Sequence, residues 1–369
     1  MKLTHLSREP IVLELNRVER LYTGGKLLDK WQGLSPEIDS AKSEEFLIST
    51  IEYIGPEKDV IEKGISRTKF DDGSHINLKR LIEKDPNAFL GSNYSTAEDN
   101  QCGVLARVGD STVRLVIQVH PDGDSAKKYL KFPSGKAEAW YILDTREING
   151  VKPHLYAGFK TGVTKERWRE LFDKQDVENM LNCMHRFEVE VGDVIVIEAG
   201  MPHAMGPGCL FLEIHEPCDY TIRLEKNYSV RPLTDDELHY GLGYDTMFEL
   251  FHYDTYSRDA IEKKIIMKPR LVSQRPGGEL YDIVTYDNTD RFYVKKLVLH
   301  GNFEIPEFKG HFIMITSKGD VKLSYEAGNK AVPQGRGVFV PSKVKALSAY
   351  GSGELIIAYP PKLTEATIL

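Results

Sequence analysis

A chain of 369 residues with 41% apolar and 10% aromatic side chains can bury a sizeable core, divided into two or three structural units rather than one. Its formal charge of -7 comes from a mixed-sign sequence with no broad basic face, which argues against binding the phosphate backbone of a nucleic acid. Residues 1–10 hold no apolar stretch long enough for a signal peptide and no later segment approaches a membrane span, so the expected location is cytoplasmic.

In chain order, Ser74 ahead of Ile76, Asn77, Leu78, Leu81 and Ile82 predicts a capped amphipathic helix. Short runs rich in Val, Ile, Leu and aromatics follow at 113–119, 137–143, 154–159, 187–191, 194–198 and 210–215. Gly, Pro and Asp separate them, as suits the strands of a barrel or sandwich. A helical pattern interrupts this set at 164–186, with apolar positions at Trp168, Leu171, Phe172, Val177, Met180, Leu181 and Met184. A third helical region starts at the capping-box-like Thr234-Asp235-Asp236-Glu237 and continues over 244–251. Strands return at 292–299, 311–317, 337–341 and 354–358. The expectation is a mainly β chain divided into a unit over 1–225 with a helical insertion around 164–186, a helical connecting segment over 226–270, and a final strand set over 271–369.

The residues that point to chemistry cluster in the first unit. Gln118 and His120 stand two apart on an apolar strand, a spacing that directs both side chains to one face. With Glu138 and His203 they could converge as two oxygen and two nitrogen donors, a set that suits zinc with an open coordination position. Lys136 lies two residues before Glu138, on the same face of the strand, and His215 shares the face of Glu213. Lys127, Lys128 and Lys131 form the densest run of positive charge nearby, read as a solvated surface or as an attraction for a phosphate dianion. Cys102, Cys183, Cys209 and Cys218 have no paired metal-binding spacing and read as reduced thiols.

The stretch Gly192-Asp193-Val194-Ile195-Val196-Ile197-Glu198-Ala199-Gly200-Met201-Pro202-His203 resembles the second motif of cupins, with Glu198 where that motif usually has Pro. The first cupin motif, a His-x-His pair followed by Glu, is matched by Gln118-x-His120 and Glu138. Together with Pro121, Lys136-x-Glu138-x-Trp140-Tyr141, Tyr22-Thr23-Gly24-Gly25-Lys26-Leu27, and Ser43-Glu44 before Phe46, the pattern resembles the type I mannose-6-phosphate isomerase family over most of the chain. The resemblance implies a bicupin, two jelly-roll β-barrels with helical insertions, of which the first is catalytic and the second metal-free. It implies one Zn2+ per chain on Gln118, His120, Glu138 and His203, and interconversion of mannose 6-phosphate and fructose 6-phosphate through an enediol.

The family's essential arginine lies ten residues after a glutamate, and here Arg223 follows Glu213 at that spacing, with Cys218, Asp219 and Thr221 between them. By this resemblance Arg223 holds the enediolate charge, with Lys136 as a second cation for the enediolate or the phosphate. Glu213, Lys136 and a metal-bound hydroxide are each chemically adequate bases, with Glu213 ranked first. His215 stands where family members more often have Gln and is expected in the substrate pocket. Three rivals remain: an isomerase of another phosphorylated or free aldose, an iron cupin oxygenase, which Gln118 argues against, and a non-catalytic sugar-binding cupin. The expected partner is a small sugar phosphate rather than a nucleic acid or membrane, and the expected state is a monomer or homodimer.

Overall fold

The computed structural model describes residues 3–55, 60–70, 72–94 and 102–363. The chain is mainly β, with 37% of residues in strands and 18% in helices. The strands that position the site are β1 (Glu44–Ile48), β2 (Leu105–Asp110), β3 (Gln118–Val119), β4 (Glu138–Thr145), β5 (His154–Lys160), β6 (Val194–Ile197), β7 (His203–Met205), β8 (Cys209–His215) and β9 (Ile222–Arg223). One antiparallel sheet runs β6-β4-β8-β2-β1, with Ile266–Met267 and Arg17–Val18 as its outer strands. A second runs from Met184–Glu188 through β5, β7 and β3 to β9, with Thr255–Tyr256 added parallel to β5.

Register decides which side chains meet. In the second sheet Gln118 pairs with His203 on one side and Arg223 on the other, so these three stand in a row across β7, β3 and β9. In the first sheet Glu213 pairs with both Arg107 and Trp140, a parallel row across β2, β8 and β4. Side chains directly opposite across antiparallel strands lie within contact distance. The two rows project into the same interior, where Glu138 at the start of β4 reaches His203. Ile117, just before β3, and Val119 within it turn the other way and join the cluster of Phe159, Trp168 and Phe248.

A third, nine-stranded antiparallel sheet contains Arg270–Arg275, Gly278–Val284, Tyr293–Leu299, Phe312–Tyr325, Gly337–Val340 and Ser348–Tyr359, with a core of its own around Leu297, Phe303, Met314, Leu323 and Leu355. Its edge is completed by Ile11–Val12 near the start of the chain, which pairs with Gly337–Val340.

The helices differ from expectation in instructive ways. Ser74 bonds to Asp72 instead of starting a helix, and His75–Asn77 forms a short strand with Arg67–Lys69. The helix that follows, Leu78–Lys84, is capped by Asn77, whose side chain accepts from Arg80 N at 2.7 Å. The 164–186 stretch is two helices, Lys165–Asp173 capped by Thr164 and Val177–Asn182 capped by Asp176, broken where Gln175 takes a left-handed conformation. It then becomes the strand Met184–Glu188. Thr234 and Glu237 form the expected capping box on Asp235–His239, and Tyr244–Phe248 follows. Arg258–Ile265, capped by Ser257, is a helix the sequence reading did not include, although Ile261 and Ile265 are buried one turn apart.

Candidate metal centre and substrate cavity

Among the described residues, His120, Glu138 and His203 bring their possible ligand atoms within 4.8 Å of one another, and all three are buried. Each imidazole is oriented through its Nδ1, which donates to a backbone carbonyl: His120 to Tyr220 O and His203 to Met201 O, both at 2.9 Å. That bond fixes the tautomer and leaves the Nε2 lone pair for the site. The two Nε2 atoms stand 3.4 and 3.2 Å from the oxygens of Glu138. Burial pushes both imidazoles down, His203 to about 4, and Lys136 adds to the effect on His120, so both are neutral ligands at neutral pH. Burial would raise the Glu138 carboxyl, but Lys136 and the imidazoles outweigh it and hold it well below the usual carboxylate range. The Gln118 amide lies 3.0 Å from His203 Nε2. The donor set therefore fits a divalent cation: two imidazole lone pairs, one carboxylate and one amide. A further sign is the buried Glu138 Oε1, which has no hydrogen-bond partner among the described residues.

Lys136, fully buried, places its ammonium 2.6 Å from Glu138 Oε2, 2.9 Å from Glu213 Oε1 and 2.9 Å from His120 Nε2. From there a charge network runs outward. Arg107 lies 2.9 Å from both Glu213 and Asp219, and Arg20 bonds Asp219 through both terminal nitrogens and Glu44 through Nε at 2.5 Å. Burial raises the carboxyls of Glu213 and Asp219, but the neighbouring cations outweigh it and keep both ionised. Four carboxylates, Glu44, Glu138, Glu213 and Asp219, thus face three cations, Arg20, Arg107 and Lys136. A buried excess of negative charge is costly unless another cation joins it.

A cavity of about 180 Å³ adjoins this centre, with Arg20, Glu44, Arg107, Gln118, Arg223 and Tyr240 in its wall. Arg223 differs from the other two arginines. It is buried to 9% exposure and its Nη1 donates to Glu237 O at 2.7 Å and Tyr240 Oη at 3.2 Å, yet it has no carboxylate partner among the described residues.

The structure brings together Gln118, His120, Glu138, His203, Lys136 and Glu213. It places Arg223 at the cavity. Glu213 sits behind the wall rather than in it, holding Arg107 and Lys136. His215, expected in the pocket, is fully buried outside the cavity lining, with Nδ1 2.6 Å from Glu216 O and Nε2 3.5 Å from Glu213. Its strand face is the expected one, but Glu213 and Lys136 fill the space ahead of it. Lys127, Lys128 and Lys131 are exposed and do not line the cavity. Cys218 is a buried thiol pushed by burial up to about 12. The sequence reading missed Arg20 and Arg107. The available signal was an arginine at the centre of the apolar run Leu105-Ala106-Arg107-Val108, where only a paired charge is tolerated.

No protein-family model matches the sequence. Among curated proteins, the chain is 24% identical over 257 residues to one of Bacillus subtilis named "Probable mannose-6-phosphate isomerase GmuF", spanning 70% of this chain and 75% of that one. It is 29% identical over 131 residues to mannose-6-phosphate isomerase ManA of the same organism, spanning 36% and 39%. Among solved structures, the mannose 6-phosphate isomerase from Bacillus subtilis superposes with a TM-score of 0.72 at 21% identity, covering 95% of this chain and all of that one. The resemblance carried by the motifs therefore extends well beyond them: the chain is similar to mannose-6-phosphate isomerases in sequence over 70% of its length and in fold over 95%.

Proposed function

We propose that the chain is a metal-dependent aldose–ketose isomerase that interconverts mannose 6-phosphate and fructose 6-phosphate through an enediol, with zinc as the metal. The observation that carries this reading is the pairing of a buried two-histidine, one-carboxylate cluster with a cavity whose Arg223 has no carboxylate partner among the described residues. Gln118, His120, Glu138 and His203 would hold the metal, which when bound supplies Lewis-acid polarisation of the sugar oxygens. The other steps belong to side chains of this chain. Arg223 offers its unpaired positive charge to the oxygen on which enediolate charge builds up. Glu213 and Lys136, 2.9 Å apart behind the cavity wall, are assigned to hold Arg107 and the ligand Glu138 in place rather than to meet the sugar, the Glu213 carboxylate being kept ionised by Arg107. Asp219 and Glu44 hold Arg20 and Arg107 at the cavity wall.

The same reading takes the fold as two cupin barrels, over 1–225 and 271–369, joined by the helical segment 226–270, in a soluble cytoplasmic protein. The third sheet has a core of its own on one face, around Leu297, Met314 and Leu355, while its other face shares a core with the first sheet, where Ile313, Ile315 and Ile356 join Ala139, Val194 and Leu212. A free aldose is a second reading of the substrate. It is favoured by the lining itself, in which Glu44, Asp236 and Glu237 accompany the three arginines and no lysine contributes.

The test is formation of fructose 6-phosphate from mannose 6-phosphate by metal-stripped protein with and without added zinc, beside Arg223→Ala. Zinc-dependent turnover lost in the variant supports the reaction and the site together. Absence of turnover with zinc bound overturns the reading for this substrate.

A further inference from the structure

Tyr240 is the residue after the helix Asp235–His239, and its backbone is left-handed, with φ at 52°. Side chains other than glycine and asparagine seldom take that conformation, and the next residue is Gly241, so glycine is available one step too late. The left-handed turn swings the ring of Tyr240 back over β9. There its hydroxyl oxygen accepts from two donors, Thr221 N at 3.3 Å and Arg223 Nη1 at 3.2 Å. The ring meets Tyr220 edge-on, with centroids 4.9 Å apart at 84°. Tyr240 thus braces three of the four residues 220–223, a segment that ends in the unpaired arginine.

The second hydrogen of Arg223 Nη1 goes to Glu237 O, a last-turn carbonyl of the same helix, at 2.7 Å. Glu237 is itself fixed, because its side chain closes the capping box with Thr234 and meets Arg231. Both hydrogens on Nη1 are therefore committed to the helix and its cap. The other three N–H groups of Arg223 have no protein partner among the described residues and remain for a ligand in the cavity that Arg223 and Tyr240 both line.

We propose that Tyr240 is a positioning residue: its hydroxyl fixes the Arg223 guanidinium in one orientation at the cavity, and the left-handed backbone at Tyr240 is retained to deliver that hydroxyl. The proposal rests on the assignment of Arg223 made above. A guanidinium anchored by one nitrogen presents its remaining donors in a set direction, whereas one free to rotate loses the alignment that stabilises a transition state.

Tyr240→Phe removes the oxygen and keeps the ring. The expected result with zinc-loaded enzyme and mannose 6-phosphate is a fall in kcat of about 10- to 100-fold with KM within about threefold of wild type. In an Arg223→Ala background the same substitution should change kcat by less than about twofold, because the residue it acts through is gone. Crystal structures of wild type and Tyr240→Phe give a readout independent of turnover, with Arg223 in one position in the first and displaced or in several positions in the second. A lower melting temperature with unchanged kcat and an unchanged Arg223 would make Tyr240 purely structural and overturn the proposal. Equal effects of the substitution in both backgrounds would overturn it too. If wild-type protein fails to convert mannose 6-phosphate, the functional reading falls, and the two crystal structures still decide the role of Tyr240.

Discussion

Asp219→Asn isolates the charge network from packing, because the substitution keeps the shape of the side chain and removes its charge. Asp219 is 1% exposed, and its two oxygens take N–H groups from Arg20 at 2.9 and 3.1 Å, from Arg107 at 2.9 Å and from Ile54 N at 2.9 Å. Asparagine offers one acceptor oxygen and turns an NH2 group toward a guanidinium or a backbone N–H whichever way it lies. Arg20 and Arg107, with side chains only 7% and 8% exposed, then keep Glu44 and Glu213 as carboxylate partners, with Ile54 O still accepting from Arg20. Breaking a buried ion pair by removing one partner costs about 3–5 kcal/mol, and no cavity adds to that here. With an unfolding entropy of about 2.1 cal/mol/K per residue, or about 0.8 kcal/mol/K for the whole chain, the melting temperature should fall by about 4–6 °C. Scanning calorimetry on both proteins at pH 7 with the same metal content measures it. A shift below about 1 °C would mean that water or a rearranged side chain satisfies the two arginines, and would refute the argument that Asp219 holds them.

Arg223→Ala should lower kcat by about 10²–10³-fold while leaving the melting temperature nearly unchanged, since Arg223 has no carboxylate to strand; steady-state kinetics beside thermal melts check both halves. Chelation should lower the melting temperature, and zinc restored to about 100 times its Kd should return about 2.7 kcal/mol, a gain that His203→Ala abolishes. The Glu237 carboxyl is held down to about 2, first by Arg231 and then, against burial, by Thr234. A carboxyl depressed in the fold contributes stability that is present above its unfolded value, about 4.3, and is lost as pH falls from there through about 2. Glu237→Gln should therefore be less stable than wild type at pH 7, and the difference should close in melts between about pH 4 and 2. Comparing mannose with mannose 6-phosphate as substrates separates the two readings of the cavity. A phosphate-specific enzyme favours the phosphorylated sugar by orders of magnitude, and similar kcat/KM values would favour the free aldose.

The candidate metal centre was legible because Gln118, Glu138 and His203 lie on short strands, and the extended chain carries their alternation on to His120 and Lys136 just beyond the strand ends. Gln118 and His120, or Lys136 and Glu138, need only the two-residue period of a strand to be placed. The limits of the helices were less legible, because local capping competes over a few residues: Asn77 won over Ser74, and Gln175 broke a pattern that apolar spacing alone reads as continuous. The strands of the third sheet also extend beyond their apolar halves. Phe312–Tyr325 runs on through Lys318, Asp320 and Lys322, whose outward faces are polar and give no hydrophobic signal. Arg107 and Arg20 went unread for a different reason. Their roles depend on Asp219, which comes from a distant part of the chain, and pairing across the fold leaves no local periodicity.

Ile11 and Val12 pair with Val338 and Phe339, so the sheet built from the last part of the chain is closed by a strand made near its beginning. Among the described residues that strand pairs only with Gly337–Val340, more than 300 residues later in the chain, so it waits on the synthesis of that distant segment. Arg20, a few residues further on, is tethered to the same segment and reaches Asp219 and Glu44 at the cavity wall. Closing so long a loop comes late in folding, because its entropic cost must be met before its contacts form. A chain halted short of Gly337–Val340 would leave Ile11–Val12 without its strand partner, eight residues ahead of an arginine that the cavity wall needs.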